Sequence, residues 1–254
     1  MNMNVALNSK QLKQRIDAFF ALREEHKEAR VLMNTLADAH QAWIFGGMLR
    51  DISLFGSEGF TSDIDIVVNT SREELIETLT NMREIDFHYN KFGGLRFCYQ
   101  NMDFDVWSLT DTWAFKENLI PFENASSLLK TTLMSWDSVL YDLHTETLIY
   151  SENYLDDLSH RHLELVLDHN PNPSGSVSRI LRTVFTKQVK SLGPQLCCFL
   201  MKELSEISFD ILQDYEIRHY NHSSFSRKQI NQLSGSLQRH KPGKEFILKN
   251  EFFT

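Results

Sequence analysis

The segment Trp43-Ile44-Phe45-Gly46-Gly47-Met48-Leu49-Arg50-Asp51, with Asp63-Ile64-Asp65-Ile66-Val67-Val68 beginning twelve residues after Asp51, constrains the fold more than any other part of the chain. An apolar run that stops at paired glycines reads as a strand turning sharply into a helix. Asp-x-Asp inside a β-branched run reads as a second strand, on which Asp63 and Asp65 project from the same side. Two such carboxylates repel each other unless a cation lies between them, and magnesium takes oxygen ligands of this kind together with substrate phosphates. Gly46 and Gly47 have no side chains, so backbone N–H groups can approach phosphate oxygens, and a helix starting near Met48 points its positive end the same way. Each half alone has a bland reading, the glycines as a tight turn and the aspartates as a solvent-facing strand edge. Together they suit a metal-bound nucleoside triphosphate.

Further along, Phe92-Gly93-Gly94-Leu95-Arg96-Phe97-Cys98-Tyr99 and Met102-Asp103-Phe104-Asp105-Val106-Trp107 predict a β-hairpin turning at Gln100-Asn101. A site that brings an acceptor to a metal-bound triphosphate has two groups to position, and two aspartates rarely suffice for both. A third carboxylate on a neighbouring strand is therefore expected here. Asp105 and Asp103, two residues apart on one face, are the candidates.

These motifs resemble the head domain of the CCA-adding tRNA nucleotidyltransferases and bacterial poly(A) polymerases, members of the DNA polymerase beta superfamily, whose pattern is Gly-Gly-x-Val-Arg-Asp, a short loop and Asp-x-Asp. The resemblance implies an α+β fold, with a mixed or antiparallel sheet flanked by helices and then a small all-helical domain. It favours Asp105 over Asp103, because Asp105-Val106-Trp107-Ser108-Leu109 matches the family's acidic-Val segment. It also implies that Asp63, Asp65 and Asp105 hold two magnesium ions, or manganese in their place, and that Gly46-Gly47 cradles the β- and γ-phosphates. Arg50 would contact phosphate, and Asp51 would cap or orient the helix.

The family's next block is Arg-Arg-Asp-Phe-Thr-Ile-Asn-Ala followed by an apolar pair and Tyr-Asp. Its tail survives as Val139-Leu140-Tyr141-Asp142, but Lys130-Thr131-Thr132-Leu133 replaces the charged head and Asp137 replaces the asparagine. Lys130 is left either to reach a phosphate or to stand as a solvated surface lysine. Asp157-Leu158-Ser159-His160-Arg161 matches an Asp-Leu-x-x-Arg block and gives Arg161 two readings, a phosphate contact or a pair with Asp157 one helical turn away. Arg179-Ile180-Leu181-Arg182 resembles the Arg-x-Leu-Arg run that opens the family's neck and adds Arg179 and Arg182 to the nucleotide-binding candidates. The resemblance spans about residues 42 to 182. The neck motif Glu-Asp-x-x-Arg is not found, and the length leaves no room for the body and tail domains that grip tRNA, so programmed addition of cytidine and adenosine is not expected.

At 254 residues the chain can bury a sizeable core in one large or two small domains. The break at Asn170-Pro171-Asn172-Pro173-Ser174-Gly175 sets the expected boundary, with a head over residues 1–170 and a helical domain over 171–254. The N-terminal helices are expected over Ser9 to about Ala29 and over Ala29 to His40, and Met134 to Asp142 reads as one strand. The loop from Phe55 to Ser62 has a composition that would let it close over a nucleotide. A net charge of −8 argues against indiscriminate coating of nucleic acid. The end of the chain, however, carries Arg227, Lys228, Arg239, Lys241, Lys244 and Lys249 against Glu245 and Glu251, which suits contact with a polyanion or a solvated helix face. Three cysteines cannot form a disulfide framework. No apolar run reaches membrane-spanning length, and the start of the chain, with Asn2, Asn4 and Asn8, lacks a signal-peptide core, so a cytoplasmic protein is expected. The expected partners are a nucleoside triphosphate and RNA, with tRNA first. A protein acceptor in a toxin-like enzyme, a toxin or antitoxin partner, and a silent nucleotide-binding module are the alternatives.

Overall fold

The computed structural model describes residues 3–60, 62–82 and 85–253. Residues 2 and 61, which entered the readings of the N-terminus and the nucleotide loop, lie outside the described residues. Two compact units are present. One runs through Thr132 and resumes over Trp136–Leu155; the other comprises Leu133–Ser135 and the chain from Asp156 onward.

The first unit opens with α1 (Ser9–Leu22) and α2 (Glu24–Ala39). The first helix is shorter than its apolar spacing suggests, because Arg23 is extended at φ −137°, ψ 161° and ends α1 while starting α2. Glu24 and Glu25 then occupy the first turn of α2, where their charge suits the helix dipole. Next come β1 (Ala42–Phe45), α3 (Gly47–Phe55), β2 (Ile64–Val68) and α4 (Arg72–Asn81). A Ser71/Glu74 capping box starts α4. The expected hairpin forms from β4 (Leu95–Tyr99) and β5 (Met102–Ser108), preceded by a two-residue strand β3 (His88–Tyr89) that pairs with β4. Gln100 and Asn101 both have positive φ, 49° and 61°, as a two-residue hairpin turn requires. A short helix α5 (Trp113–Lys116) leads to β6 (Val139–Asp142) and β7 (Leu148–Tyr150).

These strands make one sheet in the order β3-β4-β5-β2-β1-β6-β7, in which only β2 and β5 run parallel. Helix α3 packs against β1, β2 and β6, and α4 against β5. On the other face Trp43, Val67, Leu109, Phe115, Leu128 and Leu140 form a buried cluster. Both faces of the central strands are thus covered, which is why β1 and β2 are nearly continuous apolar runs. Asp65 is the exception in β2. In the loop expected to close over a nucleotide, Phe60 is buried edge-on against Phe19 at 5.8 Å, and a side chain at Gly59 would meet the Phe55 Cβ at 2.3 Å.

The stretch expected to be one strand from Met134 to Asp142 is divided. Ser135–Asp137 is a 3-10 turn, and Leu133–Ser135 joins the second unit through the Met134–Leu165 bridge. That unit follows α6 (Tyr154–His160) with β8 (His162–Leu163), α7 (Pro173–Thr186), β9 (Ser191–Leu192), α8 (Pro194–Glu206), α9 (Phe209–Tyr220), α10 (Arg227–Gln238) and β10 (Phe246–Ile247). It is helical but not all-helical, since β10-β9-β8 form a small sheet. The units divide inside α6, earlier than residue 170. The break at Asn170–Pro173 serves the second unit internally, with the Asn172 side chain capping α7 by accepting from Gly175 N. No helix among the described residues is long and apolar enough to cross a membrane.

Candidate active site

Strand register brings the acidic residues together. Asp65 on β2 lies opposite Asp105 on β5, and Asp105 lies opposite Arg96 on β4, so the three occupy one row across the sheet. Asp63 immediately precedes β2. The guanidinium of Arg96 spans the group: its Nη2 donates to Asp63 Oδ2 at 3.3 Å and to Asp105 Oδ2 at 2.8 Å. Partial burial pulls the Arg96 pKa down, but the hydrogen bond and charge of Asp105, followed by the charges of Asp63 and Asp65, outweigh it and hold the guanidinium above its ordinary value. All three expected carboxylates therefore act on one cation. The rival, Asp103, is exposed and lies opposite Cys98.

Asp105 is only 8% exposed and is held from a second side. Asn90 Nδ2 donates to Asp105 Oδ1 at 2.8 Å, while Asn90 Oδ1 accepts from the backbone of Phe92 and Gly94, both at 2.9 Å. Gly94 is what lets this turn close. A Cβ there would lie 2.7 Å from Asn90 Nδ2 and 3.2 Å from Asp105 Oδ1. The sequence reading missed Arg96 and Asn90, although the signal for Arg96 was present. In a two-residue hairpin turning at Gln100-Asn101, counting back along both strands sets Arg96 opposite Asp105.

The glycine turn has two different halves. Gly46 sits at φ +69°, ψ −110°, a conformation that favours glycine, and its N–H donates to Val139 O at 3.0 Å. Gly47 opens α3, and a side chain there would meet only Arg50 Nη2 at 3.6 Å, an ordinary contact. Backbone conformation thus requires glycine at 46, and neither conformation nor packing requires it at 47. Arg50, expected at a phosphate, is held by two protein carboxylates. Its side chain is 13% exposed and faces protein, with Nε donating to Asp51 Oδ1 at 2.7 Å and Nη1 to Asp137 Oδ1 at 2.5 Å. Burial lowers its pKa, but the charges of Asp137 and Asp51 more than offset this and raise it. The aspartate standing where the family pattern has asparagine is therefore Arg50's partner, and Arg50 braces the turn from inside.

Lys130 is exposed at the end of the 3-10 segment Ala125–Lys130 in the first unit. Arg161, Arg179 and Arg182 belong to the second unit. Arg161, at φ 59°, donates to Gln188 Oε1 at 3.1 Å and not to Asp157. Burial raises the Asp157 pKa, against a smaller opposing effect of His162 and the Ser135 hydroxyl. Arg179 is exposed, whereas Arg182 stacks over Tyr220 at 4.0 Å and donates to buried Glu216 at 3.3 Å. Part of the basic excess near the end of the chain is matched locally, Arg227 by Asp210 and Arg218 by Asp214.

Asp63, Asp65 and Asp105 are hard oxygen donors of the type a divalent cation takes, and Arg96 already supplies a positive group to two of them. Among the described residues, no three His, Cys, Asp or Glu side chains are grouped to hold a metal ion. The carboxylates are spaced around a guanidinium.

No protein-family model matches the sequence, and no curated protein does. Solved structures do match. A CCA-adding enzyme in complex with CTP superposes with a TM-score of 0.63 at 12% identity, covering 94% of this chain and 56% of that one. The Thermotoga maritima CCA-adding enzyme complexed with tRNA gives 0.62 at 14% identity, covering 88% and 54%. A tRNA nucleotidyltransferase with a primer tRNA and an incoming ATP analogue gives 0.56 at 20% identity, covering 80% and 59%. This chain has the tRNA nucleotidyltransferase fold. It spans a little over half the length of these structures. The likeness agrees with the resemblance read from the Gly-Gly and Asp-x-Asp motifs, and at these identities it concerns fold.

Proposed function

We propose that the chain is a nucleotidyltransferase that moves a nucleoside monophosphate from a nucleoside triphosphate to the hydroxyl of an RNA 3′ end, with tRNA as the first choice of acceptor. The observation that carries this reading is the row Asp65–Asp105 with Asp63 joined to it through one guanidinium nitrogen. Asp63 and Asp65 would hold two divalent ions, magnesium or manganese, with Asp105 sharing the one nearer the acceptor. Such ions supply Lewis-acid polarisation of the phosphate and make the acceptor hydroxyl more acidic. In the reaction the acceptor oxygen bonds to the α-phosphorus, the bond from that phosphorus to the β-bridging oxygen breaks, the hydroxyl proton is released, and pyrophosphate leaves.

The remaining work falls to the chain itself. The Gly46 N–H is taken by Val139 O, but the Gly47 N–H and the first turn of α3 stand at a helix start that, among the described residues, no side chain caps, and this suits the β- and γ-phosphates. The missing side chain at Gly47, which packing does not demand, leaves room for them. Arg50 and Asp137 hold the turn in shape from behind. The titles of the similar structures name CTP, an ATP analogue and tRNA as bound molecules, which supports nucleotide and tRNA as partners here.

One observation favours a second reading. Arg96 already offsets part of the carboxylate charge, as a module that binds nucleotide without transferring it would allow. Incubation with radiolabelled nucleoside triphosphates, magnesium and total tRNA separates the two. We expect label in RNA, reduced by roughly 10²–10³-fold or more in Asp65→Asn and Asp105→Asn. Nucleotide binding with no label in RNA from the wild-type protein would sink the transferase.

A further inference from the structure

Building on the proposed metal site, we infer that Arg96 is a resident cation that a divalent ion must displace, so that the nucleotide-free protein is held shut by its own side chain. The carboxylates at 63, 65 and 105 would repel each other if left alone. Arg96 relieves this by placing one nitrogen against both Asp63 and Asp105. A guanidinium and a metal ion compete for those oxygens, and their like charges repel when held against the same carboxylates. The two ends of this contact differ in freedom. Asp105 is buried and fixed by Asn90, which the bare Gly94 backbone allows to approach. Arg96 projects from an alternating strand with 46% of its side chain exposed, so it can rotate into water while the acceptors stay in place. A binding-competent state populated only in part weakens apparent affinity by that fraction, which is how Arg96 would set the metal requirement.

The experiment compares Mn²⁺ affinity, read from the electron paramagnetic resonance signal of the free ion, in wild type, Arg96→Ala, Arg72→Gln and Asp65→Asn. Arg72 stacks on Tyr89 beside the Gly93 turn and serves as a control for loss of a nearby charge. We expect wild type to bind Mn²⁺ weakly, Arg96→Ala to bind it roughly fivefold tighter or more, Arg72→Gln to resemble wild type, and Asp65→Asn to lose binding. Equal or weaker affinity in Arg96→Ala, or an equal gain in Arg72→Gln, overturns displacement and leaves the transferase standing. Absence of binding in both wild type and Arg96→Ala overturns both. Should Arg96→Ala fail to fold, the Arg96 Nε–H resonance of the wild-type protein, assigned by its loss in Arg96→Lys, decides. It should move or sharpen towards a solvent-exposed guanidinium as Mg²⁺ is added, and an unmoved resonance at saturating Mg²⁺ overturns the inference.

Discussion

Gly46 and Gly47 are adjacent and chemically identical, yet the structure gives them different reasons to be glycine. At Gly46 the backbone occupies φ +69°, so an L side chain there is strained whatever space surrounds it. Replacement by alanine should cost about 1–2 kcal/mol, read as a lower denaturation midpoint in urea. At Gly47 a Cβ meets nothing closer than the Arg50 guanidinium at 3.6 Å. Gly47→Ala should therefore keep or gain stability, by up to about 1 kcal/mol, and should raise KM for the nucleoside triphosphate. A Gly47→Ala protein with unaltered KM would remove this position from the phosphate site. The same contrast shows what was legible at this scale. The residue types disclosed the three aspartates and the glycine pair, because charge and missing side chains are written directly in the letters. That Arg50 turns inward to Asp51 and Asp137, while Arg96 turns towards Asp63 and Asp105, depends on which carboxylates the fold brings to each arginine.

At the scale of elements, local rules worked wherever local chemistry decides. The Ser71 capping box and the Gln100-Asn101 turn set α4 and the β4–β5 hairpin. Rules failed where partners are remote. The pairs β8–β9 and β9–β10 are two residues long and exist only because separate segments meet, so no periodicity announces them. The break at Arg23 likewise lacks a glycine or proline. Helix α8 shows a remote partner at work. Glu164 Oε1 accepts from Leu196 N at 2.7 Å and its Oε2 from Gln195 N at 3.3 Å, a cap supplied from 31 and 32 residues away. Gly193 makes room for it, since a Cβ would stand 2.1 Å from Glu164 Oε2. Glu164→Ala should lose about 0.5–2 kcal/mol in denaturant melts, and Gly193→Ala should lose stability as well by pushing the same carboxylate aside. Unchanged midpoints in both variants would show that α8 does not depend on this cap.

For the molecule as a whole, the division into two compact units can be followed through cysteines that need no added probe. Cys98 in the first unit and Cys198 in the second are exposed, whereas Cys197 is buried and its Sγ approaches Leu192 O at 3.6 Å. Burial, reinforced by the charge of Glu164, pushes the Cys197 thiol up to about 12. Its thiolate fraction at pH 8 is then very small, and iodoacetamide should modify Cys198 while sparing Cys197 until the second unit opens. Peptide mass spectrometry across a urea series would read the two separately. Modification of Cys197 as fast as Cys198 without urea would contradict the burial. Asn170–Pro173 has the composition of a linker and supplies a helix cap, while the two compact units divide inside α6, where composition gives no sign of a change.

Arg50 and Asp137 stand 87 positions apart and touch at 2.5 Å. During synthesis, the turn that would face the polyphosphate must wait for its far brace until the ribosome has released residues well past β5. The same span ties the shape of the glycine turn to a residue that local sequence around the turn does not contain, so a change at Asp137 acts on the turn from a distance.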